Sequence, residues 1–324
     1  MTKTAPLSRR AFLEQTTLAA LGLATAKAPA ADTPGTAARR WRVTCRDVHL
    51  KATGQPDCWT AARALAVDGL ELGVNEEMAC PSLFHPDRKY TLASAEGLQR
   101  LQEDLQANRL SISALCLNNR LDERLEQEIA WMSKAVAAAK ALDVHALRID
   151  VVPRAIARDQ FLPFAIKACQ QLVAQAAGTQ VRLGIENHGS TTNDPAFLQQ
   201  LFDGVGSAQL GLTLDACNFY WYGHPLNELY GIYERFAGRV FHTHCKNIRY
   251  PEDKRNQRRP DGWEYDRYAC PLGEGDLDYH RVAELLQRAR YPGDLCLENE
   301  CLGHFPKDQH AALLARETAF LRSL

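Results

Sequence analysis

Four apolar runs in the second half of the chain end on side chains that bind metals or carry protons. Glu186 closes LGIE, Asp215 closes LTLD, His242 and His244 close VFHTH, and Glu298 closes LCLE. Taken singly, each has an ordinary explanation: a lone His in a strand is commonly a satisfied core residue, and Asp or Glu at a strand end often caps the next helix. Four successive runs with the same kind of ending ask for a common one. Three carboxylates beside one imidazole repel one another unless positive charge sits between them. Oxygen-rich ligation with a single nitrogen suits one divalent cation: Mn²⁺ first, with Mg²⁺, Co²⁺ or Zn²⁺ as alternatives. His242 and His244 are two apart and share one face of a strand, so parity does not choose between them. His244 is nearer the strand end and is the preferred ligand.

Such residues meet only if the strands carrying them are neighbours. Short apolar or β-branched runs recur near 42–49, 69–74, 110–117, 145–152, 181–186, 210–215, 239–245 and 294–298, eight strand candidates. Between them, 58–66, 94–107, 125–142, 157–177, 195–202, 226–236 and 278–290 read as helices, and 309–322 closes the chain. In 125–142 the residues Leu125, Ile129, Met132, Val136 and Ala139 form one apolar stripe, with Glu126, Glu128 and Lys134 off it. Strict βα alternation requires parallel strands with right-handed crossovers, and eight such units close into a single-domain α/β fold, a (β/α)8 TIM barrel over 41–324. The four ligand candidates then fall at the C-terminal ends of strands five to eight, where barrels build their active sites. The stretch 246–277 contains no periodic segment and is rich in Arg, Asp, Gly and Pro. It is expected to be a long active-site loop, and its cluster Lys254, Arg255, Arg258 and Arg259 is either an anion site or a solvated face.

Residues 1–30 read differently. Arg9-Arg10 precedes an uncharged Ala- and Leu-rich stretch and a small-residue cleavage signal near Ala28-Pro29-Ala30, the order of a twin-arginine signal peptide. Residues 31–40 follow as a linker. The apolar stretch is shorter than the roughly 20 residues a membrane span needs, so the expectation is a periplasmic or secreted protein with no membrane attachment after cleavage. Lys+Arg 38 against Asp+Glu 39 gives a net charge of −1, which removes the electrostatic basis for a nucleic-acid partner. Ten cysteines are too few for a disulfide scaffold. Cys45, Cys116 and Cys296 read as small buried hydrophobes, while Cys58 with Cys80 or Cys270 with Cys301 stand as conceivable pairs.

The chain from about 41 to 324 resembles the xylose-isomerase-like TIM-barrel superfamily of sugar isomerases and epimerases. The resemblance rests on E-N-H at Glu186, L-D-x-x-N at Asp215, H-x-H-x-K-N at His242 to Asn247, L-E at Glu298 and G-x-G-x-L-D at Gly273 to Asp278. It implies Glu186, Asp215, His244 and Glu298 as the metal ligands. It also implies Glu186 and Glu298 as the acid–base pair that moves a proton through an enediolate. Glu71, Asn75, Asn118, Asn119, Arg148, Asp150, His188 and Lys246 are expected to hold the sugar, with His242 a layer deeper or also at the substrate. Asn218 and Asn247 depart from the commoner His and Asp and leave the substrate's identity open. The leading expectation is a metal-dependent isomerase or epimerase acting on an unphosphorylated sugar or keto-sugar. Alternatives are a lyase that cleaves 3-keto-glycosides by β-elimination and a non-catalytic sugar-binding barrel. A nuclease would need three metals and a basic surface, and is set aside. A homo-oligomer is left open.

Overall fold

The computed structural model describes residues 41–324, so the leader read at 1–30 and the linker at 31–40 lie outside the described residues. The strands are β1 Val43–Arg46, β2 Gly69–Gly73, β3 Ser111–Leu117, β4 Ala146–Ile149, β5 Arg182–Glu186, β6 Leu210–Asp215, β7 Val240–His244, β8 Asn247–Ile248, β9 Ala269–Cys270 and β10 Leu295–Leu297. All but β8 and β9 form one parallel sheet in the order β10-β1-β2-β3-β4-β5-β6-β7. A parallel bridge from Cys245 to Leu297, with Cys245 N donating to Cys296 O at 2.8 Å, joins the two edges. Closure removes the edge that an open sheet would leave unpaired. The result is a single-domain (β/α)8 TIM barrel.

Alternation along the strands sorts the sequence into two shells. Leu70, Leu72, Leu115, Leu117, Leu147, Ile149, Leu183, Ile185, Leu212, Leu214, Leu295 and Leu297 are buried and belong to the apolar core under the helices. The interleaved positions are small or polar (Thr44, Ala114, Cys116, Gly184, Thr213, Cys296), and they end in the charged residues of the site. Gly184 illustrates the crowding: a Cβ there would lie 2.5 Å from Thr213 Oγ1. Helices start where capping chemistry dictates. Ser94 accepts from Gly97 N before Ala95–Asn108, Asp194 accepts from Ala196 N before Pro195–Val205, and Asp278 accepts from His280 N and Arg281 N before Tyr279–Arg288.

Three expectations need correction. The helix foreseen from 125 does run on from there, after a short turn at Leu121 and a kink at Arg124, but Glu128, read as part of its polar face, is buried because Arg124 Nε at 2.7 Å and Asn119 Nδ2 at 2.8 Å satisfy its carboxylate. Within the 246–277 connection β8 and β9 pair antiparallel, and short helices occupy Glu252–Arg255 and Tyr265–Tyr268. Arg259 is buried against Tyr220 and Tyr250, 4.5 and 4.3 Å from their ring centroids, and donates to the Lys254, Gln257 and Tyr220 carbonyls. It is a strut for this segment, buried away from any surface anion, with Nε alone lacking a hydrogen-bond partner among the described residues. Gly223 makes the approach possible, because at φ 98° a Cβ would stand 2.0 Å from Arg259 O. All ten cysteines are free, and neither conceivable pair is bonded.

Candidate metal centre

Each ligand candidate sits at the C-terminal tip of its strand and is aimed by local hydrogen bonding. Asn187 fastens β5 to β6: its Nδ2 donates to Asp215 O at 2.7 Å and its Oδ1 accepts from Asp215 N at 2.9 Å. Asp215 Oδ1 accepts from Asn218 N at 3.0 Å and so caps the short helix Ala216–Trp221, which leaves Oδ2 for the pocket. No hydrogen bond of good geometry reaches that buried Oδ2, although Lys246 Nζ lies 2.9 Å away. In the barrel register Asp215 pairs with His244. One ligand atom from each of Glu186, Asp215, His244 and Glu298 lies within 4.8 Å of the other three, and all four residues are buried. The sequence-predicted quartet is one cluster.

Around it stand three cations. Arg148, on β4, grips Glu186 Oε2 through both Nε and Nη2, and its Nη1 reaches Asp150 Oδ2 at 3.0 Å, Asn118 Oδ1 at 3.1 Å and Leu117 O at 3.2 Å. Arg46, at the end of β1, holds Glu71 Oε1 at 2.8 Å through Nε and Glu298 Oε1 through Nη1. Lys246 Nζ sits 2.9 Å from Glu298 Oε2 and 2.8 Å from Glu300 Oε1 as well as beside Asp215. Six buried carboxylates, Glu71, Asp150, Glu186, Asp215, Asp294 and Glu298, share these three cations and the buried imidazoles of His242 and His244, which the carboxylates around them hold well above the usual histidine range. Burial alone would push the Glu186 and Glu298 carboxyls up, but Arg148 and His244 for the first, and Lys246, His244 and Arg46 for the second, hold both well below the usual range. For Asp215 burial prevails over Lys246, and its carboxyl is pushed up to about 7. The incompletely satisfied Asp215 Oδ2 and a three-oxygen, one-nitrogen donor set fit a divalent cation.

The other predicted residues divide. Glu71 and His242 are turned inward: they are 1% and 0% exposed, His242 Nε2 lies 2.7 Å from Glu71 Oε2, and Glu71 also meets Arg46 and His244. Arg148 is a clamp on Glu186 more than a sugar contact, and Asn119 serves Glu128. Asn75 Oδ1 accepts from Ala79 N within its own turn. His188 is half-exposed, with Nδ1 3.1 Å from Asp150 Oδ1, and stays available together with the exposed Asn118, whereas Lys246 is buried with its ammonium held by Asp215, Glu298 and Glu300. Asn218 joins the site by donating to Glu186 Oε1 at 3.2 Å. Asn247 does not join it, since its amide ties Leu272 O and Leu277 O. Sequence reasoning missed Arg46 and Asp294. Arg46 ends its strand as the four ligands end theirs, so the strand-end rule extended to the first strand would have found it; Asp294 precedes its strand and gave no such signal.

A profile of the xylose isomerase-like TIM barrel family matches residues 59–324. The chain belongs to this family. Solved structures share the fold at low identity. The IOLI protein with a bound zinc atom superposes with a TM-score of 0.65 at 16% identity, over 87% of this chain and 98% of that one. A xylose isomerase-like TIM barrel protein from Mycobacterium smegmatis, in complex with magnesium, gives 0.65 at 14% identity over 87% and 96%. A 3-keto-D-glucoside 4-epimerase from E. coli gives 0.60 at 12% identity over 88% and 100%. A search of curated proteins finds no match.

Proposed function

We propose that this family member is a divalent-metal-dependent isomerase or epimerase acting on an unphosphorylated sugar or keto-sugar. The observation that carries the reading is the convergence of Glu186, Asp215, His244 and Glu298 on one buried point. These four residues would hold the ion, which when bound supplies a Lewis acid for adjacent hydroxyl and carbonyl oxygens and so acidifies the intervening C–H bond. The chain's own groups do the rest. Glu186 keeps Oε1 toward the pocket because Oε2 is committed to Arg148. It is held ionised by its cations, and with Oε1 on the ion the proton would go to Oε2 as Arg148 releases it. Glu298 stands on a different strand with Oε2 beside the Lys246 ammonium, from which it would draw the proton delivered to the other side. Asn118 and His188 offer hydrogen bonds to sugar hydroxyls from the exposed side of the site. Solved structures whose names describe a D-tagatose 3-epimerase-like protein and a 3-keto-D-glucoside 4-epimerase support this choice of chemistry. The twin-arginine pattern of residues 9–10 adds an exported location, away from most sugar phosphates.

The test is incubation of metal-reconstituted protein with free ketoses, inositols and 3-keto-glycosides in D₂O. Deuterium entering the carbon next to the carbonyl, with a new epimer or isomer, is the expected result. A released aglycone would move the assignment to β-elimination on the same site, and binding without exchange would leave a sugar-binding barrel.

A further inference from the structure

We propose that Glu71 is a positioning residue for His244, fixing its ring with the proton on Nε2 so that ligation runs through Nδ1. The inference rests on the reading of His244 as a metal ligand and adds the group that orients it. Glu71 Oε2 lies 2.6 Å from His244 Nε2 and 2.7 Å from His242 Nε2. An ionised carboxylate only accepts, so each of these nitrogens carries the shared hydrogen. The nitrogen that gives up its proton when His244 ligates is then the opposite one, and it lies where the other ligands are: Nδ1 is 3.2 Å from Glu186 Oε1 and 3.4 Å from Glu298 Oε2.

Glu71 cannot swing away from this duty. Arg46 Nε holds its second oxygen at 2.8 Å, and a register shift between Leu70 and Glu71 in the β2–β3 pairing marks a bulge where the side chain is re-aimed. His242, two residues before His244 on the same face, is the other half of the clamp, with its Nδ1 3.4 Å from Asp294 Oδ1 and Asp294 in turn held by Thr44. Glu71, His242 and His244 are themselves metal-type residues, but they do not make a second ion site. Ligand atoms sharing an ion at bonds of about 2.0–2.2 Å stand roughly 3 Å or more apart, whereas these pairs are at the separation of a hydrogen bond.

The experiment uses zinc, which is diamagnetic, on the ¹⁵N-labelled protein. Two-bond ¹H–¹⁵N correlation spectra of the apo and zinc-loaded wild type, with the His244→Asn spectrum for assignment, report which ring nitrogen is protonated and which is metal-bound. The expected pattern for His244 is Nε2–H with zinc on Nδ1, and for Glu71→Gln a zinc affinity, read by chelator competition, lowered about 10–100-fold. Zinc on Nε2, or an unchanged affinity in Glu71→Gln, overturns the proposal. Two zinc ions per wild-type chain falling to one in Glu71→Gln overturns it in favour of a second ion. Should Glu71→Gln not fold, the wild-type spectrum decides by itself. A wild type that takes no zinc sinks the metal reading together with this inference, while zinc bound through the wrong nitrogen sinks this inference alone.

Discussion

Replacing Arg148 by Met tests whether the carboxylates of the site depend on fixed cations. The guanidinium is 3% exposed and contacts Glu186 Oε2, Asp150 Oδ2, Asn118 Oδ1 and Leu117 O. Methionine fills much of the same volume but leaves two buried carboxylates without their partner, a change that costs about 3–5 kcal/mol. For a barrel of this size each kcal/mol moves the melting temperature by about 2 °C, so the expected drop is roughly 6–10 °C. Differential scanning calorimetry of chelator-treated wild type, Arg148→Met and Arg148→Lys measures it, with Lys falling between because it keeps the charge and loses the fork. The pH dependence gives a second reading. Glu186, held below its unfolded value despite burial because Arg148 and His244 favour the ion, contributes stability that is present above the unfolded carboxyl value of about 4.5 and lost as pH falls toward the folded one. In Arg148→Met that acid limb flattens. A drop of under about 2 °C with an unchanged acid limb would refute the view that Arg148 holds the ligand set together.

Other outcomes follow from the same geometry. With Asp215 pushed up to about 7 by burial, ion binding must displace a proton, so the zinc dissociation constant should be about ten-fold larger at pH 6 than at pH 8; calorimetric titration in two buffers of different ionisation enthalpy checks the proton release. Lys246→Met removes an ammonium 2.9 Å from both Asp215 Oδ2 and Glu298 Oε2, and zinc affinity should rise at least about ten-fold while turnover on any sugar falls, since a like charge next to the ion is gone. Gly223→Ala forces a Cβ to 2.0 Å from Arg259 O at a φ of 98°; a loss of about 1–3 kcal/mol in urea unfolding, with faster proteolysis within 252–268, is expected.

The eight barrel strands were legible because their alternation of apolar and small or polar residues survives in the sequence, and each predicted run contains an observed strand. The ligand quartet was legible for a related reason: a charge that ends an apolar run must have a purpose that overrides burial. Which partner each charge takes was not legible. Glu71 and His242 look like substrate contacts at the ends of their runs, yet they meet across the barrel, 171 residues apart in sequence, at 2.7 Å. Nothing local to either residue encodes that pairing. Arg259 was unreadable for the opposite reason, since a cation in an Arg-rich stretch gives no hint that Tyr220, Tyr250 and a glycine at 223 have made room for it inside. Glu128 shows a weaker form of the same limit: helical periodicity put it on the polar face, but Arg124 one turn earlier and Asn119 allow it to be buried.

The three cations of the site divide the carboxylate oxygens into two sets. Arg148 takes Glu186 Oε2, and Arg46 takes Glu298 Oε1 and Glu71 Oε1. The oxygens left toward the common point are Glu186 Oε1, Glu298 Oε2 and Asp215 Oδ2, so each ligand is prepared to offer one oxygen and not two. Of the cations, the two arginines are planar forks engaged on several acceptors, and they are costly to move. Lys246 alone faces the inward set, through Glu298 Oε2 and Asp215 Oδ2, on a flexible four-carbon stem, and it also has Glu300 Oε1 at 2.8 Å nearer the surface. It is therefore the charge that can yield, leaning toward Glu300 when a stronger cation claims the inner oxygens. On this argument Glu300→Gln should make zinc binding harder and Lys246→Met easier, and the double variant should behave as Lys246→Met alone. Additive effects in that cycle would show that the lysine does not move.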